Sequence, residues 1–270
     1  MSVDETSLRE GTHAHYRDAA YYDQAYRRRR EDVRFYADLA DSAGGSVLEL
    51  GVGTGRVALE LARRGVPIVG VDLMEEMLAR LRERLRKEPR RVRAVVELHR
   101  GDLREIRLGR RFPLVISPFN VFMHLYERGD LERALETVRE HLAPGGLFVF
   151  DVLVPCASAL ALDPDRVYRL GTIRRGGRSY HYRERFDYNP ITQIQHVEMI
   201  FIAEDAPGKP EIMPLTHRHF FPAELEALLH YNGFEVLRRE GDFEGGPLVR
   251  ESESQVLTCR LRDGSPPAAP

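Results

Sequence analysis

Between residues 46 and 154 the chain alternates short apolar runs with stretches of helical spacing, and this alternation constrains its fold more than any other feature. "SVLEL" (46–50), "VPIVGVD" (66–72), "AVVELHRGD" (94–102), "FPLVISPF" (112–119) and "LFVFDVLV" (147–154) read as strands. The continuous β-branched run at 66–72 is what a strand covered on both faces requires. Between them, "TGRVALELARRG" (54–65, stopping at Gly65), "MEEMLARLRERLRK" (74–87) and "DLERALETVREHL" (130–142, stopped by "APGG") have helical spacing. Strands joined through helices need right-handed crossovers, which predicts a mainly parallel sheet with helices on both faces. Ahead of this block, apolar residues at 26, 33, 36, 37 and 40 predict one helix from Tyr22 to Ala40.

The alternation ends near 155. Residues 166–221 then read as strands parted by turns: "VYRLGTIRR", a Gly-Gly turn, "RSYHYRERFDY", an Asn-Pro turn and "TQIQHVEMIFIAE". Tyr180, His181, Tyr182, His217 and His219 alternate along this block, so one face must point inward. "PAELEALLHYNGF" (222–234) predicts a helix, followed by strands "EVLRRE" and "SQVLTCRL". The expected organisation is a helical segment at 1–45, a core at 46–155, an antiparallel insertion at 156–221, a closing helix and two strands at 222–263, and a disordered tail, "GSPPAAP", at 264–270.

Composition narrows the function. A formal charge of −2 provides no global positive field to collect nucleic acid, and the basic clusters at 27–30 and 86–93 read as solvated helical faces among acidic residues. Two cysteines, Cys156 and Cys259, without a CxxC pair argue against a zinc site or a disulfide framework. No apolar stretch reaches the ~20 residues that span a bilayer, and the first thirty residues hold no signal-peptide core. These features predict a cytoplasmic protein with no membrane partner.

The chemistry centres on "VLELGVGTGR" (47–56), where an apolar run breaks into glycines at 51, 53 and 55. In an open parallel sheet, ligands bind beyond the carboxyl ends of the strands. The dinucleotide fingerprint is GxGxxG, whereas here the pattern is GxGxG followed by Arg56. Asp72 ends the second strand, where a carboxylate accepts both ribose hydroxyls. On these residues alone NAD, FAD and S-adenosylmethionine remain open. The later strand ends add "HRGDL" (99–103), with an acidic residue in reach of an adenine amino group, and "LAPGG" (142–146); Glu49 enters the first loop.

As a set, these motifs over about residues 20–155 resemble class I S-adenosylmethionine-dependent methyltransferases. The resemblance implies an α/β, Rossmann-like, doubly wound, mainly parallel seven-stranded sheet with an antiparallel β insertion after the fifth strand. It implies S-adenosyl-L-methionine as cofactor, with Glu49, Gly51, Gly53 and Gly55 at its methionine part and Asp72 at the ribose. Asp102 and Leu103 would meet the adenine, and Leu73, Met77 and Phe119 complete the cofactor set. Such a cofactor needs close backbone approach more than an anion nest, and GxGxG supplies that. Arg29 follows Tyr26 by three residues beside the apolar stripe and is the candidate partner for the cofactor's carboxylate.

"SPFNVFMHLYE" (117–127) and "AYYDQAY" (20–26) further resemble the aminosugar N-methyltransferases and, more distantly, glycine N-methyltransferase. By that resemblance Tyr22 and His124 are the catalytic candidates, His124 as proton acceptor or amine positioner. The antiparallel block would then cover the acceptor and mediate a homodimer, with "GDFEGGPL" (241–248) rimming the pocket. The implied activity is methyl transfer to a small-molecule acceptor, N-directed first and O-directed next, with no metal. A nucleic-acid methyltransferase would need a basic groove and an "NPPY"-like run where this chain has "SPFN". A non-catalytic assembly protein that keeps the cofactor fold is the third reading.

Overall fold

The structure, a computed structural model, describes residues 5–262. In chain order they form α1 (Glu5–Arg17), α2 (Ala19–Tyr26), α3 (Glu31–Ala43), β1 (Val47–Leu50), α4 (Ala58–Arg63), β2 (Ile68–Asp72), α5 (Glu75–Arg86), α6 (Arg90–Arg93), β3 (Val96–Arg100) and β4 (Phe112–Ser117). A 3-10 turn (Val121–His124), α7 (Arg128–His141), β5 (Leu142–Leu153), α8 (Ala157–Leu160), β6 (Tyr168–Arg175), β7 (Arg178–Asn189), β8 (Ile194–Ala203), β9 (Glu211–Arg218), α9 (Pro222–Tyr231), β10 (Phe234–Glu240) and β11 (Ser254–Leu261) follow. Two compact units result. One takes the chain up to Arg28 together with Pro155–His219, and the other takes Arg29–Val154 together with the chain from Phe220. The division therefore falls at Arg28/Arg29, inside the segment expected to run from 1 to 45.

The larger unit is a seven-stranded sheet in the order β10-β11-β5-β4-β1-β2-β3. The pairs β1–β2, β2–β3, β1–β4 and β4–β5 are parallel, and β11 pairs antiparallel with β5 and β10. The α/β, mainly parallel, Rossmann-like expectation is met. β1 has β2 and β3 on one side and β4 and β5 on the other, so the order reverses at the β1/β4 boundary and opens a crevice at the carboxyl ends. β1 is buried along its whole length, which is why its sequence is apolar throughout apart from Glu49. One apolar cluster includes Leu48, Leu50, Phe122, Phe148 and Phe150, and another includes Tyr36, Val47, Leu59, Ile116 and Val149.

The smaller unit holds the insertion, a separate antiparallel sheet in the order β6-β7-β8-β9. The fourth strand, β9, is not among the strands read from the sequence. Pro214 breaks its strand signal, and an edge position tolerates the missing N–H: β9 pairs only with β8. α1 packs on β9, and Gly11 makes that approach possible, because a Cβ there would run into Thr216.

Three local expectations change. The helix expected from Tyr22 to Ala40 is two helices with a break at 27–30, where four arginines follow one another; Arg56 Nη1 donates to the Arg29 carbonyl there, at 3.1 Å. The helix expected from 54 begins only at Ala58, because Gly55 sits at φ 77°, outside the helical region. The strand expected to 119 stops at Ser117, because Phe119 and Asn120 are both left-handed, at φ 65° and 64°. No helix among the described residues is long and apolar enough to cross a membrane, and the expected tail at 264–270 lies outside the described residues.

Candidate cofactor site

Three β1–α4 glycines line the crevice, each with positive φ. They do different work. A Cβ on Gly51 would run into Val121 and one on Gly55 into Leu81, so these two are small because the protein packs against them. A Cβ on Gly53 would meet Met77 Cε at 3.4 Å and the Gly51 carbonyl oxygen at 4.0 Å, both ordinary contacts. Gly53 is therefore bare toward the open side of the turn.

Asp72 closes the far wall. Its Oδ2 accepts the Gly53 N–H at 2.7 Å and its Oδ1 accepts the Met74 N–H at 2.8 Å, tying the glycine turn to the end of β2. Burial pushes its carboxyl up to about 6 even though these N–H groups pull the other way. The Gly51 and Val52 N–H groups both donate to the Val71 carbonyl, so the β1 and β2 ends form one rigid corner. Glu49, buried in the middle of β1, has no hydrogen-bond partner for Oε2 among the described residues. Burial holds its carboxyl well above the usual range, with Arg56 opposing and Asp72 and Asp32 reinforcing the shift. Leu73, beside Asp72, is an apolar side chain left 41% exposed, while Met77 is buried beneath the turn.

At the end of β3 the arrangement is less open. Burial raises the Asp102 carboxyl, but hydrogen bonds from Arg104 outweigh that and hold it below the usual range. Arg104 Nη2 reaches Asp102 Oδ2 at 2.6 Å, and Nη1 reaches Asp130 at 2.7 Å. Any ligand amino group must share Asp102 with this guanidinium. Leu103 packs partly buried against the core.

The β4 end carries a cluster that sequence reasoning found only in part. Phe119 lies between two guanidinium groups, Arg29 at 4.9 Å and Arg56 at 4.8 Å from its ring centroid, and Arg29 also faces Phe243 at 5.8 Å. Fully buried Asp32 pairs with Arg56 through both carboxylate oxygens and lies 3.7 Å from Arg29. Arg29 and Arg56 thus meet at Asp32 beside the glycine turn. Phe243 belongs to the "GDFEGGPL" segment and packs against Phe35 and Tyr36.

Buried Asp151 on β5 sets the backbone of this turn. Its Oδ1 accepts the Tyr36 hydroxyl at 2.7 Å and the Phe119 N–H at 2.9 Å, and its carbonyl accepts the Asn120 N–H at 3.2 Å. These bonds hold two consecutive non-glycine residues in the left-handed region. Burial raises the Asp151 carboxyl against the pull of these donors. The sequence signal was an aspartate inside the apolar run "LFVFDVLV"; Tyr36, Asp32 and Asn120 carry none. His124 ends the 3-10 turn, half-buried, with Nδ1 at 3.4 Å from the Tyr126 hydroxyl.

The structure thus brings Glu49, the three glycines, Asp72, Leu73, Met77, Asp102, Leu103, Arg29, Phe119 and His124 into one unit, at or near the carboxyl ends of β1 to β4. Tyr22 lies in the other unit, on α2. It is buried in an aromatic nest, with ring centroids 4.8 Å from Tyr26, 5.7 Å from His15 and 5.8 Å from Tyr16.

The site suits S-adenosylmethionine. It offers a bare backbone at Gly53, a carboxylate at the end of β2, a buried Glu49 carboxyl with one oxygen unpartnered among the described residues, and an arginine–aromatic cluster by the turn. Comparison with known proteins agrees. A family model described as a methyltransferase domain matches residues 47–146. A dTDP-3-amino-3,4,6-trideoxy-alpha-D-glucopyranose N,N-dimethyltransferase of Streptomyces venezuelae is 31% identical over 86% of this chain and 94% of its own. The CcbJ methyltransferase of Streptomyces caelestis superposes with a TM-score of 0.76 at 32% identity, covering 86% of this chain and 94% of that one. CalS10, an amino pentose methyltransferase from Micromonospora echinaspora solved with bound S-adenosylmethionine, has a TM-score of 0.67 at 26% identity over 88% and 96%. A glycine turn, an acidic β2 end and a whole-length relative converge on one assignment: this chain belongs to the S-adenosylmethionine-dependent methyltransferases.

Proposed function

We propose that this enzyme methylates the amine nitrogen of a small molecule, with an aminosugar as the favoured acceptor class. One observation carries the reading: the similarity to the Streptomyces venezuelae aminosugar dimethyltransferase extends over 94% of that protein and so takes in the insertion as well as the cofactor core. When bound, the cofactor supplies an electrophilic methyl whose bond to sulfur breaks as the bond to nitrogen forms, so the protein needs no covalent nucleophile.

The chain's own residues then have three tasks. Asp72 accepts the ribose hydroxyls, with Asp102 and Leu103 at the adenine and Leu73 and Met77 packing beside them. Gly51, Gly53, Gly55 and Glu49 meet the methionine part, with Arg29 and Phe119 at its charged end. His124 accepts the proton that the amine must lose, or positions the lone pair, and Tyr22 supports the acceptor. A homodimer formed through the insertion belongs to the same reading. The test is incubation with methyl-labelled S-adenosylmethionine and dTDP-3-amino sugars beside their 3-hydroxy counterparts. Label on the nitrogen alone is the expected result, and label on the hydroxyl compounds alone rejects amine specificity.

A further inference from the structure

One face of the β6–β9 sheet is apolar and aromatic in nearly every row. Phe186, Val197 and Leu215 stand in register in one row, and Tyr182 and Phe201 in another, with ring centroids 5.1 Å apart. The row between them is Tyr168, Glu184, Met199 and Met213, so a carboxylate sits in the middle of this face. Tyr21 of α2 packs edge-on against Phe201, at 5.5 Å between centroids.

Glu184 is half-buried, and its one hydrogen bond among the described residues comes from the Tyr182 hydroxyl. Burial pushes its carboxyl up and the Tyr182 bond opposes that. Burial chiefly raises the Tyr21 and Tyr182 hydroxyls, with Glu184 adding to both and Arg175 opposing at Tyr21; Tyr21 and Tyr26 also act on Tyr182. Cations near this face include Arg166, over the ring of Tyr168 at 5.1 Å, and Arg175, stacked on Tyr21 and Phe201. Arg175 is the one that bears on the Tyr21 side of Glu184. It is already matched by Asp18 at 2.8 Å and Glu211 at 3.0 Å. Partly buried carboxylates ordinarily carry a cation partner, and among the described residues the hydrogen bond to this one comes from a phenol, in a row shared with Tyr168, Met199 and Met213.

We propose that Glu184, with the Tyr182 hydroxyl and ring beside it, is a binding subsite for an alkylammonium group. The inference rests on the amine reading above, since an alkylamine acceptor and its methylated product are both largely protonated in neutral water. A carboxylate accepts charge-assisted hydrogen bonds from an ammonium, and aromatic faces favour its positive charge. Burial among apolar rows strengthens both interactions relative to water. The class of ligand is thereby cationic and compact, and a neutral alcohol of the same shape gains little.

The test uses the full chain labelled with ¹³C-methyl methionine, because Met199 is directly opposite Glu184 and Met213 is one strand further on. Isopropylammonium chloride is titrated at constant ionic strength, with isopropanol and sodium chloride as controls. A saturable shift of the Met199 and Met213 signals with isopropylammonium alone is expected. Half-saturation should be at least about tenfold weaker in Glu184→Gln, with a smaller loss in Tyr182→Phe. Dispersed Met199 and Met213 signals in the unliganded variants report that the substituted unit is folded. No saturable shift in the wild type overturns the proposal, as does an unchanged half-saturation in Glu184→Gln. The titration needs no turnover, so it can fail while amines are still methylated, and failure of methyl transfer leaves its result standing.

Discussion

Gly53→Ala separates ligand approach from folding at one atom. Gly53 sits at φ 54°, where an alanine costs about 1–2 kcal/mol of backbone strain. The added methyl meets Met77 Cε at 3.4 Å and nothing nearer, so packing adds little. For a unit of this size that strain lowers Tm by roughly 2–8 °C. The methyl stands on the open side of the turn, where the cofactor must come up to the backbone. Loss of that approach is expected to weaken S-adenosylhomocysteine binding at least about tenfold, or about 1.4 kcal/mol. Gly55→Ala reverses the balance: its Cβ collides with Leu81 at φ 77°, which adds about 1–3 kcal/mol of overpacking to the strain. Calorimetric titration of both variants, beside thermal melts, gives the two quantities independently. A folded Gly53→Ala protein that binds within twofold of wild type refutes the assignment of this turn.

Three further outcomes follow from the same geometry. Asp72 titrates near 6 when folded, above its ordinary 3.8, so the native state holds its proton more tightly and this group's contribution to stability falls as pH rises from about 4 through about 6. Cofactor binding requires the ionised form, so S-adenosylhomocysteine affinity should fall as pH drops through about 6, by up to about tenfold per pH unit, and should be flat in Asp72→Asn; superimposable profiles contradict this. Asp151→Ala removes the acceptor for Tyr36 and Phe119 and releases the left-handed pair, which is expected to lower stability by about 2–4 kcal/mol in denaturant melts; Asp151→Asn should lose less, and equal losses argue against the hydrogen bonds. His124→Ala is expected to reduce kcat on the true acceptor at least about tenfold while leaving cofactor affinity within twofold, and unchanged kcat removes His124 from the mechanism.

The parallel core was legible because both faces of β1, β2 and β4 are covered and the chain had to write them as apolar runs. Asp72 and the glycines were legible for a related reason: each stands where a strand stops, and few residues can hold those backbone positions. What stayed hidden depends on contacts between distant parts of the chain. Asp32 meets Arg56 across 24 residues, and Tyr36 meets Asp151 across 115. No periodicity encodes such pairings. β9 was hidden by Pro214, whose missing N–H is harmless only at an edge, a position visible once the sheet is assembled. The break at 27–30 was hidden because four arginines are all good helix formers, and the carbonyl of Arg29 is instead claimed by Arg56.

Mass spectrometry of acceptors after incubation with methyl-labelled S-adenosylmethionine tests the central claim most directly. Nucleoside-diphosphate-linked aminosugars, their hydroxyl counterparts and total RNA are offered in parallel. The account requires one or two added methyls, all on the amine nitrogen of a small molecule. Label found on RNA, or on sugar oxygens with amines untouched, contradicts it.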